Sequence, residues 1–365
     1  NTTLMSQPMN VGGIAGKVAG NGRIVNCENS NKIQGYQNVG GIAGYNMGTI
    51  LGNIDVVEFD QNGNIATEIA EDEIIYKLAV DENGYVYSEV KKGEVQDAEN
   101  TSYYIKNAEN RSMINKDVAG AINVGGVVGY TANNSKVWAI NSEANVLGNT
   151  NVGGVAGLAG DNASIANTSA GKVAKPGEEE KQIVINGLFV HNGVTSTIGV
   201  ETTTKSYYVL PTSVGGLIGS TANNAVDVRN NVVNAQITSP VEGSTDSPSS
   251  TTGENMGSNV VSTISNFMFN NVDVDNVNNI DVVETTSNTK DEIEKKKIQF
   301  NDIKTGWGGL IGTTSSNTAL NGLIASEDIA KANITTNKIK TTANTGVGIN
   351  VGAYFGYYKV GSGVN

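Results

Sequence analysis

A chain of 365 residues with one cysteine, Cys27, can form no internal disulfide and no cysteine-based metal site. That residue reads as a small buried hydrophobe in the first repeat. A single histidine, His191, excludes any multi-histidine centre and any triad not built around it. No run of about 20 apolar residues occurs, so no segment predicts a membrane-spanning helix. Charged residues make up only 16% of the chain, and 24 basic against 36 acidic side chains leave a net charge of −12. An acidic surface repels phosphate, which argues against nucleic acid and anionic membrane as partners, whereas a neutral polymer makes no electrostatic demand. The patterns GxSxG, HExxH, GxGxxG and the phosphate-binding P-loop are all absent. The chain opens at Asn1 without an initiator Met or a signal-like apolar stretch, which reads as a mature or excised piece of something longer.

What the chain does have is glycine, 45 residues of it, in a recurring phrase. NVGGIAG begins at Asn10 and again at Asn38; NVGGVVG begins at Asn123 and NVGGVAG at Asn151. Looser copies are SVGGLIG from Ser213, GWGGLIG from Gly306 and NVGAYFG from Asn350. The first two copies stand 28 residues apart, as do the third and fourth, and the gap of 85 between the second and third is close to three such steps. Repetition at this period predicts stacked supersecondary units, each unable to bury its apolar face alone. The alternating runs after each copy, such as Lys136-Val137-Trp138-Ala139-Ile140 and Ala225-Val226-Asp227-Val228, read as short strands. Asn-rich steps between them suit left-handed turn geometry. The predicted fold is therefore all-β: a parallel β-helix, or β-solenoid, forming a single domain over 1–365.

VGGIAG-type repeats resemble the GLUG motif of large bacterial surface and secreted proteins, adhesins among them. The resemblance covers the motif copies and the strands after them. It implies a β-rich repeat architecture and an extracellular, cell-surface home. More narrowly, the size and β-helical character are similar to the C-terminal domain of the tapirins, which attach plant-degrading thermophiles to cellulose. That likeness implies an insoluble polysaccharide, cellulose or a related plant polymer, as partner. Asn-Gly pairs at Asn21, Asn62, Asn83, Asn186, Asn192 and Asn321 weigh against a thermophilic setting, because such Asn is thermolabile.

Several stretches interrupt the repeat. Residues 55–118 are expected to form an inserted β-hairpin appendage that projects from the stack, its two strands flanking Asp81-Glu82-Asn83-Gly84, with Asp60-Gln61-Asn62-Gly63 as a second turn. Both acidic turns lack the downstream ligands of a calcium loop. A loop and strand excursion spans 175–212, and the low-complexity stretch 239–259 reads as a flexible loop. Thr289 to Lys297 is the best short-helix candidate.

The residues carry no catalytic constellation, no metal site and no cofactor signature. Asp273 and Asp275 share a strand face at i, i+2, with Asp281 and Glu284 nearby, but no Arg or His accompanies them, and outward Asp is ordinary on a solvent-facing strand. Aromatic residues are the other lead, since the apolar faces of sugar rings stack on flat side chains. Tyr45, Tyr130 and Tyr357 each follow the motif's last glycine, so they are expected on one face of the stack. Trp138, Tyr207, Tyr208, Trp307 and Tyr354 complete the candidate ligand-binding set; Trp307 stands in place of the motif Val, where a core role competes. The reading is a non-catalytic adhesin module, with no membrane insertion and no nucleic acid. A structural stalk and a β-helical polysaccharide lyase or hydrolase are the alternatives.

Overall fold

The computed structural model describes residues 8–82, 84–107, 112–132, 134–172, 179, 181–187, 190–198, 201–209, 212–222, 226–229, 231–238, 280–287, 306–314, 320–321, 338–340, 350–352 and 355–358. Among them the structure is all-β, with one short 3-10 turn at Lys92–Glu94 and no α-helix. Two seven-stranded parallel sheets carry the motif. The first runs through Met9–Gly12, Gln37–Gly40, Ile122–Gly125, Thr150–Gly153, Thr212–Gly215, Gly306–Gly308 and Asn350–Gly352. The second runs through Ala15–Val18, Ala43–Asn46, Val128–Thr131, Ala156–Ala159, Ile218–Thr221, Ile311–Thr314 and Phe355–Tyr358. Two six-stranded parallel sheets follow in the same chain order, one containing Lys136–Trp138 and the other Val146–Gly148. Each pass of the chain through these sheets is a rung. Parallel sheets that share one rung order are compatible with a β-helix.

The motif explains the rung. Its leading residue sits in the left-handed region at Asn10, Asn38, Asn123, Asn151 and Ser213, with φ between 52° and 54°. Asn tolerates that conformation and brings an amide that both donates and accepts. The amides join into a ladder: Asn38 Nδ2 donates to Asn10 Oδ1 at 2.7 Å, Asn123 to Asn38 at 2.8 Å and Asn151 to Asn123 at 2.8 Å. The next residue, Val39, Val124, Val152 or Val214, turns inward and is fully buried. Ile42, Val127, Val155, Leu217 and Leu310 form a second inward column, also fully buried. Between these columns the backbone of one rung lies against its neighbour. A Cβ on Gly40 would fall on the carbonyl of Ala43 and the Cα of Val128, so glycine is required there by space.

The 85-residue gap does not contain the three steps expected. Val124 pairs directly with Val39, and Tyr130 with Tyr45, so Asn38 and Asn123 belong to adjacent rungs. The second rung leaves the stack after Thr49–Leu51 and returns at Ile114, which bridges Asn29 and Ser142, before closing with Val118–Ala119. The insertion therefore stops short of residue 118.

Nor does the insertion simply project. Its strands Ile54–Val56, Ile75–Asp81, Gly84–Val90 and Thr101–Lys106 make an antiparallel sheet, with the expected hairpin pairing Asp81 with Gly84. One face, through Tyr76, Leu78 and Tyr87, packs on Leu51, Trp138 and Ala166 along the flank of the stack. The other buries Ile75, Tyr103 and Ile105 against Val57, Ile69 and Val95. At the second turn the backbone N–H of Gly63 donates to the Asp60 carbonyl at 3.0 Å, with Gly63 at φ 77°.

The excursion 175–212 is divided. Ile183–Gly187 is a strand of the stack, paired with Val146–Gly148 and with Ala235–Thr238. Val190–Ile198 and Glu201–Val209 form a hairpin, joined by the distant Ile280–Ser287 in a three-stranded antiparallel sheet. The flexible loop expected at 239–259, the helix expected over 289–297, and Asp273 and Asp275 lie outside the described residues. Cys27 is half-buried against the core rather than enclosed by it.

Candidate functional site

Motif spacing places one residue per rung at the same height in the second sheet. In strand order that column is Lys17, Tyr45, Tyr130, Leu158, Ser220, Thr313 and Tyr357. The three tyrosines thus share a column, with Tyr45 and Tyr130 adjacent and Tyr357 four rungs beyond Tyr130. The rings of Tyr45 and Tyr130 are half-buried, 5.0 Å apart between centroids and inclined at 78°, edge to face. They form a corner rather than a flat platform. The Lys17 Nζ lies 5.5 Å from the centre of the Tyr45 ring, a cation–π contact. The Tyr130 hydroxyl is held above its usual range, first by burial, then by the nearby Tyr45 and Asp161. The site therefore has a cationic end, two rings, and an acidic group near Tyr130. Lys17 and Asp161 were not among the expected residues. Lys17 was legible, because it follows the first motif's last glycine as Tyr45 follows the second's. Asp161 was not, because it reaches Tyr130 from the loop of the next rung.

Trp138 does not belong to this face. It points from the third sheet into the seam beneath the docked appendage and is only 3% exposed. The Tyr76 ring lies 5.5 Å away at 31°. Trp138 Nε1 donates to Ser164 Oγ at 2.7 Å, and Ser164 Oγ donates to Asp227 Oδ2 at 2.6 Å. Lys136 Nζ passes 5.1 Å from the Trp138 ring and donates to the Tyr87 carbonyl at 2.7 Å. Burial lowers the Lys136 pKa. Across the same seam Asn167 Nδ2 donates to the Tyr76 hydroxyl at 2.8 Å. Trp138 is therefore corrected from a ligand-facing residue to a docking residue: the appendage buries a ring that the alternating pattern alone would expose.

The remaining candidates are scattered. Tyr207 and Tyr208 lie on the antiparallel strand Glu201–Val209, opposite Asn192 and His191 on one side and Val282 and Asp281 on the other. Trp307 occupies the motif Val position, in register with Val214 and Val351. Tyr354 lies outside the described residues. Asp281 and Glu284 fall on the strand Ile280–Ser287. Among the described residues no group of three or more His, Cys, Asp or Glu could hold a metal ion, and no helix is long and apolar enough to cross a membrane.

A family model described as the GLUG motif matches residues 7–34, the first rung. This supports the GLUG repeat reading and, with it, a repeat-containing protein. No curated protein and no solved structure matches the chain.

Proposed function

We propose that the chain is a β-solenoid module of an extracellular, cell-surface protein that holds a polysaccharide on its second sheet, without cleaving it. The observation that carries this reading is the half-exposed Tyr45–Tyr130 corner, flanked by Lys17 and standing in the same strand register as Tyr357. A sugar ring offers an apolar C–H face for one tyrosine and hydroxyls for the groups around it. Net negative charge leaves neutral glycans as the favoured class. Insoluble plant polymers, cellulose first among them, are the proposed ligands. The 78° inclination favours a single glycan chain laid into the corner over the flat face of a crystal.

The test is depletion of purified protein on microcrystalline cellulose, xylan and chitin, with reducing sugar assayed in the supernatant. Retention on one polymer with no sugar released is expected. In a folded Tyr45→Ala/Tyr130→Ala double variant, retention should weaken about tenfold, the size of one or two lost aromatic contacts. Unchanged retention by that variant would sink the reading, and sugar release would turn attention to the acidic residues. A structural stalk is the second reading. It is favoured by Leu158, Ser220 and Thr313, which interrupt the column between Tyr130 and Tyr357.

A further inference from the structure

In the second sheet the accessible side chains form a single file. Ala43–Asn46, Val128–Thr131, Ala156–Ala159 and Ile218–Thr221 share one burial pattern, in which only the third residue is partly exposed. Those residues are Tyr45, Tyr130, Leu158 and Ser220. The half-buried Thr313 continues the file on Ile311–Thr314, and the exposed Lys17 precedes it on Ala15–Val18. The residue before each is a glycine. A Cβ on Gly129 would fall on the Asn38 backbone, on Gly157 on that of Asn123, and on Gly219 on that of Asn151, so no side chain flanks the file from this position. The residue after each is buried, as at Asn46 and Thr131, where Asn46 Nδ2 donates to Thr131 Oγ1 at 3.3 Å.

This arrangement fixes a direction. A ligand laid along one strand of this sheet meets one accessible side chain, whereas a ligand laid from rung to rung meets one at every step. Paired strands stand about 4.8 Å apart, so the file from Lys17 to Thr313, one residue on each of six rungs, spans about 24 Å. An extended pyranose chain advances by nearly one such step per sugar. Tyr45 and Tyr130 supply ring surface, Leu158 a smaller apolar contact, and Ser220 and Thr313 hydroxyls. The Thr313 hydroxyl is held in place by Ser213 Oγ, which donates to Thr313 Oγ1 at 2.7 Å.

We propose that this file is a track for an extended, unbranched glycan laid parallel to the stack axis, one sugar per rung, with Leu158, Ser220 and Thr313 as subsites beyond the Tyr45–Tyr130 corner. The proposal rests on the glycan-binding reading above and adds the form of the ligand: a long linear chain, not a chain end or a single sugar. The experiment is titration calorimetry with β-1,4-linked oligomers of glucose, xylose and N-acetylglucosamine, from dimer to hexamer, alongside retention on the matching polymers. It compares the wild type with Ser220→Glu, Ser220→Tyr and Tyr45→Ala/Tyr130→Ala, each with an unchanged circular dichroism spectrum. The hexamer of one sugar should bind the wild type about tenfold tighter than its dimer, because it reaches more of the file. Ser220→Glu should weaken the hexamer about tenfold and leave the dimer unchanged. Ser220→Tyr places a ring where Tyr45 and Tyr130 show that the position accepts one, and should tighten the hexamer about threefold, the size of one aromatic contact. Dimer and hexamer bound alike, with neither Ser220 variant altering them, would overturn the track; loss of binding in the double tyrosine variant would then keep the corner alone as the site. Retention on a polymer with no oligomer bound also overturns the track. If the double tyrosine variant is retained as well as the wild type, the glycan-binding reading falls and the track falls with it.

Discussion

The parallel stack and the antiparallel sheet docked on its flank bury themselves by opposite means. In the stack the enclosed side chains are small, chiefly Val, Ile and Ala, and the backbones of successive rungs meet through glycine. In the docked sheet the enclosed side chains are large, Tyr76, Tyr87 and Tyr103, closing over Trp138 of the stack, and a Cβ on the appendage's Gly93 would meet nothing within 4 Å. The stack is specified by what it omits and the appendage by what it inserts. A substitution that adds one carbon should wreck the first and leave the second untouched, whereas one that removes a ring should do the reverse.

The largest effect is therefore expected from Gly126→Ala, whose methyl would fall on the Gly154 carbonyl. Ser142 Oγ, the other near atom, can turn aside, but the Gly154 carbonyl is backbone and cannot, so the rungs must separate, at a cost on the order of 3 kcal/mol or more. Gly93→Ala should change the thermal midpoint little. Equal midpoints for the two variants would show that the stack has slack the close approach denies. Next in size is Trp138→Ala. Losing this ring should cost about 3 kcal/mol, the lower end for an aromatic truncated in a core. The damage should be local, with hydrogen exchange rising over 75–90 and 101–106 while Val39, Val124 and Val152 stay protected. Uniform exchange through both regions would mean that appendage and stack unfold as one unit.

Asn123 isolates the ladder. Asn123→Ala loses a donor and an acceptor at a buried site and puts alanine at φ 52°, for a loss of about 2 kcal/mol. Asn123→Gly keeps the conformation and should lose about half as much. Chemical denaturation separates the two contributions, and an Asn123→Gly midpoint equal to that of the wild type would mean that the amide ladder contributes nothing beyond backbone geometry.

The repeat was legible in the sequence because its geometry is local: the rungs that begin at Asn10, Asn38, Asn123, Asn151 and Ser213 each use a left-handed residue, a Val and two close-approach glycines, and each leaves its mark in the phrase. The shared column of Tyr45, Tyr130 and Tyr357 was legible for the same reason, as equal repeat positions fall at equal heights. Long-range contacts were not. The gap from Asn38 to Asn123 looked like three rungs because a period cannot distinguish added rungs from an insertion of similar length. Trp138 looked outward because alternation describes a strand's own faces, and the sheet that covers it comes from residues 54–106. The edge-to-face angle of the tyrosine pair likewise depends on the packing of two rungs and has no counterpart in spacing.

The smallest effect concerns charge, which the stack uses little and the appendage uses in its turns. Asp60 accepts hydrogen bonds at Oδ1 from the backbone N–H of Asn62 and of Asn64, both at 2.8 Å, and at Oδ2 from Asn64 Nδ2 at 3.1 Å. These donors, the Asn64 side chain first, hold its carboxyl below the ordinary 3.8. A depressed folded pKa means that the turn's contribution is fully present above 3.8 and is lost as the pH falls through the lower folded value. Amide exchange at Asn62 and Asn64, followed by NMR, should therefore quicken in acid while the ladder residues Asn38 and Asn123 show no such step. Asp60→Asn keeps an acceptor and removes the titrating group, so the acid step should vanish. If that step persists in the variant, the turn is governed by Gly63 and the backbone bond to the Asp60 carbonyl, and the carboxylate is only an exposed ornament of it.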